Sequence, residues 1–214
     1  MSSALNVAYI GEGLTDVAVA RKMILAAGGM PGIDFLTARK QRGKHSLDMR
    51  LDGLNRLARI GQVVLALRDF DVDDGEPCPG ALVGRLVPAP EPLLCLRIAM
   101  RSVEAWLLAD RECFAQAIGV SVISVTSDPE ALLRPKDHIV ALARKSRSRS
   151  VKRDLIPEED AGITEGPLFG VWLSNFAAQA WDPKRAAATG RSSSLSKALI
   201  RLQGMLQLNS KDRR

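Results

Sequence analysis

Residues 62–71, Gln-Val-Val-Leu-Ala-Leu-Arg-Asp-Phe-Asp, give the clearest indication of the fold. Residues 62–67 are almost all apolar, which is typical of a strand buried on both faces of a parallel sheet. Acidic residues follow this strand at once, beginning with Asp69 and Asp71. We therefore predict a buried parallel strand that runs directly into a carboxylate-rich loop.

A second apolar run, Asn-Val-Ala-Tyr-Ile at 6–10, leads into Gly-Glu-Gly at 11–13. Thr15 is a favourable N-cap, and the apolar residues that follow recur at helical spacing. Gly28 is a plausible end for this helix. The first unit of the chain is therefore predicted to be a strand, a tight turn and a helix.

The same alternation continues over the first half of the chain. Apolar runs predict further strands at 33–37 and 93–99, and helical spacing predicts helices at 47–60, 81–86 and 104–118. The last third has helical patterns at 130–143, 168–181 and 194–208, and a Ser-rich basic tract at 145–153 that predicts a flexible loop. The pattern predicts an α/β fold with a mainly parallel central sheet flanked by helices. We divide it into a core at 1–125 and a helical, basic extension at 126–214 that packs on the core.

Composition narrows the class of protein. The chain has 214 residues, of which 46% are hydrophobic and 25% charged, and this is ordinary for a globular protein. Its three cysteines are widely spaced, so neither a disulfide framework nor a zinc site is expected. No signal peptide or membrane-spanning run is evident, and we expect a cytoplasmic protein. The net charge of +6 favours a polyanionic partner without requiring one.

Carboxylates follow both of the predicted strands named first. Glu12 lies after one strand, and five carboxylates within eight residues follow the other, at positions 69, 71, 73, 74 and 76. Binding sites in parallel sheets form beyond the carboxyl ends of the strands, and Mg²⁺ prefers carboxylate oxygens. We predict a divalent-metal site made by Glu12, Asp69 and Asp71. The alternative is a solvated acidic loop beside an ordinary turn glutamate.

These motifs resemble the toprim domain, which has a Rossmann-like fold and occurs in topoisomerases, primases, repair proteins and OLD-type nucleases. The resemblance rests on Gly-Glu-Gly at 11–13, on Thr-Asp at 15–16 and on the Asp-Phe-Asp that ends the second strand. It implies that Glu12 is a general acid/base or a metal ligand. It also implies that Asp69 and Asp71 bind Mg²⁺ or Mn²⁺.

Residues 104–110, Glu-Ala-Trp-Leu-Leu-Ala-Asp, restrict the resemblance to one family among toprim-like proteins. Together with Arg-Pro-Lys at 134–136 and Ser-Ser-Ser-Leu at 192–195, they are similar to an uncharacterised prokaryotic toprim-like family whose members often neighbour phage-defence genes. Glu104 is either a further metal ligand or a carboxylate at a helix start. Asp73 is a further candidate ligand, and the long loop after Asp74 departs from the family pattern.

Two basic segments are candidate contacts for nucleic acid, because clustered positive charge attracts phosphodiester backbones. The alternative for both is a solvated surface loop. The candidate residues are Arg39, Lys40, Arg42, Lys44, Lys136, Arg144, Lys145, Arg147, Arg149, Lys152 and Arg153.

Three functional hypotheses follow from these residues and from the resemblance. The first is a Mg²⁺- or Mn²⁺-dependent nuclease that hydrolyses DNA or RNA, in a phage-defence or DNA-processing system that can include a partner protein. The second is a catalytically inactive toprim-like module that binds nucleic acid or protein. The third is another phosphoryl transfer, on a nucleotide. None of the three involves a membrane or zinc.

Overall fold

One parallel sheet forms the centre of the computed structural model, which describes residues 4–35, 43–71, 74–158 and 162–211. Its four strands lie in the order β2-β1-β3-β4 and are all parallel. They are β1 (Asn6–Ile10), β2 (Met30–Asp34), β3 (Val63–Asp69) and β4 (Leu94–Ala99). This confirms the predicted α/β fold, and the architecture is consistent with a Rossmann-like fold.

Eleven α-helices within the described residues flank the sheet. They are α1 (Leu14–Ala26), α2 (Lys44–Asp48), α3 (Leu51–Arg59), α4 (Pro79–Leu86), α5 (Val103–Ala109), α6 (Arg111–Ile118), α7 (Pro135–Lys145), α8 (Arg149–Leu155), α9 (Phe169–Gln179), α10 (Pro183–Ala188) and α11 (Ser193–Lys211). In the part of the chain that the structure describes, none of them combines the length and apolar character that crossing a membrane requires.

The sheet separates two apolar cores, because successive side chains of a strand point to opposite faces. On β3, Val63, Leu65 and Leu67 belong to the larger core, whereas Val64 and Ala66 belong to the smaller one. The larger core also takes residues from α1 and from α5 to α11, and the smaller core takes residues from α2 to α4. The fold is therefore a three-layer arrangement of helices, sheet and helices.

The strand order creates a switch point between β1 and β3. From β1 the chain passes along α1, on the larger core, to β2 on one side. From β2 it returns along α2 and α3, on the smaller core, to β3 on the other side. The loop after β1 leads to α1 on the larger core, whereas the loop after β3 leads to α4 on the smaller core. These two loops thus diverge to opposite faces, and a crevice opens between them at the carboxyl edge. Glu12 follows β1, and Asp69 ends β3.

Several predicted boundaries were wrong. β2 begins at Met30 rather than at residue 33, because Gly28 adopts a φ of 90° after α1 and the Met30 amide donates at once to the carbonyl of Leu5. Pro31 is tolerated in β2 because this is an edge strand. Thr15 does not cap α1; Gly13 is the N-cap. The helices predicted at 47–60 and 104–118 are each divided in two.

The basic tract at 145–153 is also not the flexible loop that we predicted. Arg149–Leu155 forms α8, and the hydroxyl of Ser148 caps this helix by accepting from the amide of Val151 at 3.3 Å. Val151 and Leu155 are buried in the larger core. The serines thus serve as caps and turn residues, and the apolar residues between the basic ones anchor the segment.

Candidate functional site

The loops after β1 and β3 meet at the switch point through a direct hydrogen bond. The Asp69 amide donates to Oε1 of Glu12 at 2.9 Å. Gly11 permits the close turn that places Glu12 there, because a Cβ at position 11 would lie 2.2 Å from the Cβ of Asp16. The predicted pairing of Glu12 with Asp69 at one edge of the sheet is therefore present.

Four carboxylates lie together around this turn, and we call Glu12, Asp16, Asp69 and Glu104 the inner carboxylates. Asp16 and Glu104 are only 6% and 4% exposed. Asp16 accepts from the Gly13 amide at 3.1 Å, and Asp69 accepts from the amide at the start of α5 at 3.0 Å. Oδ1 of Asp16 and Oε2 of Glu104 are buried and have no hydrogen-bond partner. Buried carboxylate oxygens of this kind are costly unless a cation or a proton satisfies them.

Burial and neighbouring negative charges raise the pKa of three inner carboxylates. Burial, together with the charges of Glu104 and Glu12, raises the pKa of Asp16 to about 8. Burial also raises the pKa of Glu12 to about 7, although the Asp69 amide and the nearby guanidinium of Arg68 lower it. Burial, followed by the charges of Asp16, Glu104 and Glu12, raises the pKa of Asp69 well above its usual value.

Lys136, in the first turn of α7, faces this group from across the edge. Burial lowers the pKa of its ammonium, but the negative charges of Glu104, Glu165, Asp69 and Asp16 outweigh burial and raise it. Its nitrogen lies 3.5 Å from Oε1 of Glu165. Lys136, on α7, therefore supplies a positive charge that faces the inner carboxylates.

The acidic loop after β3 has basic partners of its own. Asp71 lies beyond the end of the strand, with 41% of its side chain exposed, and pairs with Lys44 at 2.9 Å. Asp74 pairs with Arg68 at 2.6 Å. Glu76 pairs with Arg85 at 2.6 Å as well. Asp69 and Asp71 thus have different surroundings, although the sequence assigned both to one metal site.

Arg68 is a buried cation that sequence reasoning did not single out. Its side chain is 1% exposed at the end of β3. Its guanidinium donates to both carboxylate oxygens of Asp74, at 3.1 and 2.6 Å, and to Asp48 at 3.2 Å. It also lies 3.7 Å from Oε1 of Glu12. The fork geometry of arginine suits these simultaneous contacts with two carboxylates.

A cleft of about 360 Å³ opens above the site. Its floor includes Asp69 and Asp71, and its walls come from the β4–α5 turn and from the start of α7. The residues that line it are Asp69, Phe70, Asp71, Arg101, Ser102, Leu133, Arg134, Pro135, Lys136, Asp137, Thr164 and Glu165. The cleft thus places carboxylates opposite basic side chains, and this suits a ligand that carries both a cation and an anionic group.

The predicted nucleic-acid contacts divide into two places. Lys136 lies in the cleft, and Lys44 lies beside it through its pairing with Asp71. Arg144 and Lys145 lie at the far end of α7, about 13 Å along the helix axis from Lys136. The other basic residues of that segment, all exposed, are Arg147, Arg149, Lys152 and Arg153. Asp73, Arg39, Lys40 and Arg42 lie outside the described residues.

Two polar residues of the stretches at 104–110 and 192–195 have structural roles. Asp110 accepts from both Nε and Nη2 of Arg185, at 2.8 and 2.6 Å. The hydroxyl of Ser192 accepts from the Leu195 amide at the start of α11.

Besides Arg68, the sequence did not indicate the roles of Asp16 and Arg101. In the sequence, Asp16 stands out only as part of the Thr-Asp pair at 15–16. Its position three residues after Gly13 predicts the capping contact, but not the burial that packing against α5 produces. Arg101 lies in the β4–α5 turn with a φ of 68°, and no local motif indicates this conformation.

As the side chains stand, no group of three or more His, Cys, Asp or Glu residues in the described ranges forms a ready metal site. No protein-family model, curated protein or solved structure matches this chain.

Proposed function

We propose that this protein is a divalent-metal-dependent phosphodiester hydrolase that cleaves nucleic acid in the cytoplasm. The carrying observation is the group of four inner carboxylates at the switch point of a parallel sheet. Two oxygens of this group, Oδ1 of Asp16 and Oε2 of Glu104, are buried without a partner. The toprim resemblance, a place in a phage-defence or DNA-processing system, and a partner protein there all remain parts of this proposal.

The donor set fits a hard cation such as Mg²⁺ or Mn²⁺, because every ligand it offers is a carboxylate oxygen. Asp69, Asp16 and Glu104 are the residues that would hold it, with Glu12 beside them. When bound, the metal supplies a Lewis acid that polarises a phosphoryl oxygen. Burial and then the charges of Asp16, Glu104 and Glu12 raise the pKa of Asp69, and these negative charges would be offset at a site that holds a cation.

Glu12 is suited to move the proton. Without a bound cation, burial raises the pKa of its carboxyl to about 7, so that it exchanges a proton near neutral pH; a cation beside it would lower this pKa and favour the carboxylate that can accept a proton. In the proposed reaction the oxygen of water forms a bond to phosphorus, and the P–O bond to the leaving group breaks. Glu12 takes the proton from the attacking water and releases it to solvent, and the leaving oxygen takes a proton from solvent.

Cleavage of single-stranded and duplex DNA and RNA, measured with Mg²⁺, with Mn²⁺ and with EDTA, tests the proposal. We expect metal-dependent cleavage that falls about 10²- to 10⁴-fold in Glu12→Gln and Asp69→Asn. Asp52→Asn is the matched control: Asp52 is exposed, pairs with Arg56 on α3 and does not line the cleft, so we expect it to keep activity within about twofold.

Thermal unfolding checks that each variant is folded. Equal activity of wild type and Glu12→Gln would assign the cleavage to a contaminant and contradict the proposal. Cleavage of mononucleotides but not of polynucleotides would instead favour the nucleotide-directed phosphoryl transfer.

The second candidate, a non-catalytic binding module, is favoured by a specific observation. Lys136 and Arg68 already neutralise part of this edge, and Asp71 is paired with Lys44. This candidate predicts metal-independent binding of nucleic acid that weakens steeply with salt. Arg147, Arg149 and Lys152 are exposed at the start of α8. Replacing all three with Gln should then abolish binding, in a protein that cleaves nothing with any metal.

A further inference from the structure

The β4–α5 turn carries an unusual arginine in the cleft. Arg101 is the one non-glycine residue in the described part of the chain with a positive φ, 68°. Left-handed backbone is costly for an L-residue with a long side chain and persists only where the surroundings impose it. Such outliers cluster at binding and catalytic sites, so the conformation requires an explanation.

The surroundings that impose it are two hydrogen bonds, one at each end of the turn. The Met100 amide donates to Oγ of Ser194 at 3.2 Å. The Val103 amide donates to Oδ1 of Asp69 at 3.0 Å. Two residues, Arg101 and Ser102, must span the gap between these fixed points. The turn is therefore held by the N-terminus of α11 on one side and by an inner carboxylate on the other.

The side chain of Arg101 lacks the partners that the neighbouring cations have. Arg134 pairs with Asp137 at 3.4 Å, and Lys136 pairs with Glu165. Nε of Arg101 is buried with no hydrogen-bond partner, and no acidic side chain among the described residues pairs with this guanidinium. A guanidinium that is partly desolvated and unpaired is suited to an anion that comes from outside the chain.

Ser102 provides an independent sign of a missing ligand. It is 6% exposed and lines the cleft, and its hydroxyl has no hydrogen-bond partner. It precedes α5, yet its hydroxyl makes no capping bond there. A hydroxyl donor and an arginine fork next to each other match the oxygens of a phosphate.

We propose that Arg101 and Ser102 form the phosphate-binding subsite of the cleft and hold a backbone phosphate of a polynucleotide beside the inner carboxylates. This inference rests on the proposed function, since the phosphate that is held is the one presented for hydrolysis. The left-handed turn aims the guanidinium into the cleft, so the backbone strain serves binding rather than folding.

Binding without metal tests the subsite separately from cleavage. The probe is a short fluorescein-labelled single-stranded oligodeoxynucleotide, followed by fluorescence anisotropy in EDTA over a series of salt concentrations. The variants are Arg101→Gly, Arg101→Lys and Ser102→Ala. Arg201→Ala is the control of equal charge, because Arg201 contacts the carbonyl of Pro92 at the opposite edge of the sheet.

We expect Arg101→Gly to raise the Kd about tenfold and to lower the salt slope by about 0.7, the loss of one contact to a single-stranded phosphate. Arg101→Lys should keep part of the affinity, since it retains the charge without the fork. Ser102→Ala should weaken binding less than Arg101→Gly. Arg201→Ala should leave the Kd within about twofold.

Thermal unfolding separates a binding role from a structural one. Glycine adopts a φ of 68° without strain, so Arg101→Gly should raise the Tm while it loses affinity. A lower Tm of Arg101→Gly, together with an unchanged affinity of Arg101→Lys for the probe, would make Arg101 a structural residue and overturn the proposal. Affinity of Arg101→Gly equal to that of Arg201→Ala would overturn it too.

Competition and cleavage identify the source of the phosphate and keep the two proposals apart. We expect unlabelled oligonucleotide to displace the probe at far lower concentration than inorganic phosphate or a mononucleotide. Displacement by inorganic phosphate at equal concentration would overturn the polynucleotide assignment. If no metal supports cleavage but Arg101→Gly still weakens binding of the probe, the proposed hydrolase activity is contradicted. The proposed phosphate-binding subsite is then still supported.

Discussion

Asp16 is the residue whose environment is most costly in the absence of a cation. Its carboxylate is 6% exposed, and one oxygen accepts from Gly13 while the other has no partner. Burial, with the charges of Glu104 and Glu12, raises its pKa from 3.8 to about 8. The native state therefore holds a proton that the unfolded chain has already released over this range of pH.

This raised pKa gives a prediction about stability in EDTA. Because the native state binds more protons than the unfolded state, the free energy of unfolding should fall as pH rises from about 4 to about 8. Asp16→Asn removes one of three titrations with a raised pKa, because Glu12 and Asp69 also hold protons over this range, so it should make the fall shallower. Urea unfolding at about pH 5 and at about pH 8 measures the fall in wild type and in the variant.

Asp52→Asn is the control, since Asp52 is exposed and paired with Arg56 on one helix. Saturating Mg²⁺ should restore stability at high pH in wild type but not in Asp16→Asn. Equal pH dependence of wild type and Asp16→Asn would contradict the assignment of the proton to Asp16.

At the scale of elements, α11 depends on a carboxylate from a distant segment. Glu130 accepts from the amides of Ser193 and Ser194, at 3.1 and 2.9 Å, and from the hydroxyl of Ser192 at 2.7 Å. Burial raises the pKa of Glu130, but the hydrogen bonds of these serines outweigh burial and lower it. Ser194 also accepts from Nε1 of Trp106 at 2.7 Å. The Glu130 carboxylate complements the positive end of α11, and the hydrogen bond from Trp106 joins α11 to α5.

We predict that Glu130→Gln destabilises the protein by about 2 kcal/mol, because it removes charge-assisted hydrogen bonds at a partly buried helix start. Glu112→Gln is the matched control, since Glu112 is exposed and its pair with Arg191 should contribute less than about 1 kcal/mol. Urea unfolding at neutral pH compares the two. Equal losses of unfolding free energy would show that Glu130 stabilises the protein no more than an exposed ion pair does.

Elements that are apolar on both faces were predictable, whereas those fixed by long-range contacts were not. β1 and β3 appear in the sequence as unbroken apolar runs, and their carboxyl ends predicted that Glu12 and Asp69 meet. The burial of Asp16 depends on α5, which is far away in the sequence. The helix α8 depends on a serine cap and on two buried side chains, which the surrounding arginines conceal.

At the scale of the whole molecule, the larger core is continuous from the first strand to the last helix. It joins Val7 and Met23 to Leu173 and Leu202, and α9 lies along α1. The predicted division into 1–125 and 126–214 therefore crosses a shared apolar core. Residues 1–125 alone would expose the apolar face of α1 that α9 covers.

We predict that a chain of residues 1–125 alone lacks cooperative unfolding, because it cannot bury this face. In the full chain, Leu173→Ala should cost about 2–5 kcal/mol, whereas Val171→Ala, at a position 44% exposed on the same helix, should cost less than about 1 kcal/mol. Urea unfolding and near-ultraviolet circular dichroism measure these effects. A cooperative transition of 1–125 would show that the first part folds independently.

The burial of Arg68 also constrains the order in which the chain folds. A guanidinium cannot leave water at acceptable cost before its carboxylate partners arrive. Asp48 comes from α2 and Asp74 from the loop after β3, so both segments must be in place before Arg68 is fully paired. We therefore expect water to leave this edge of the sheet only after both segments have closed over it.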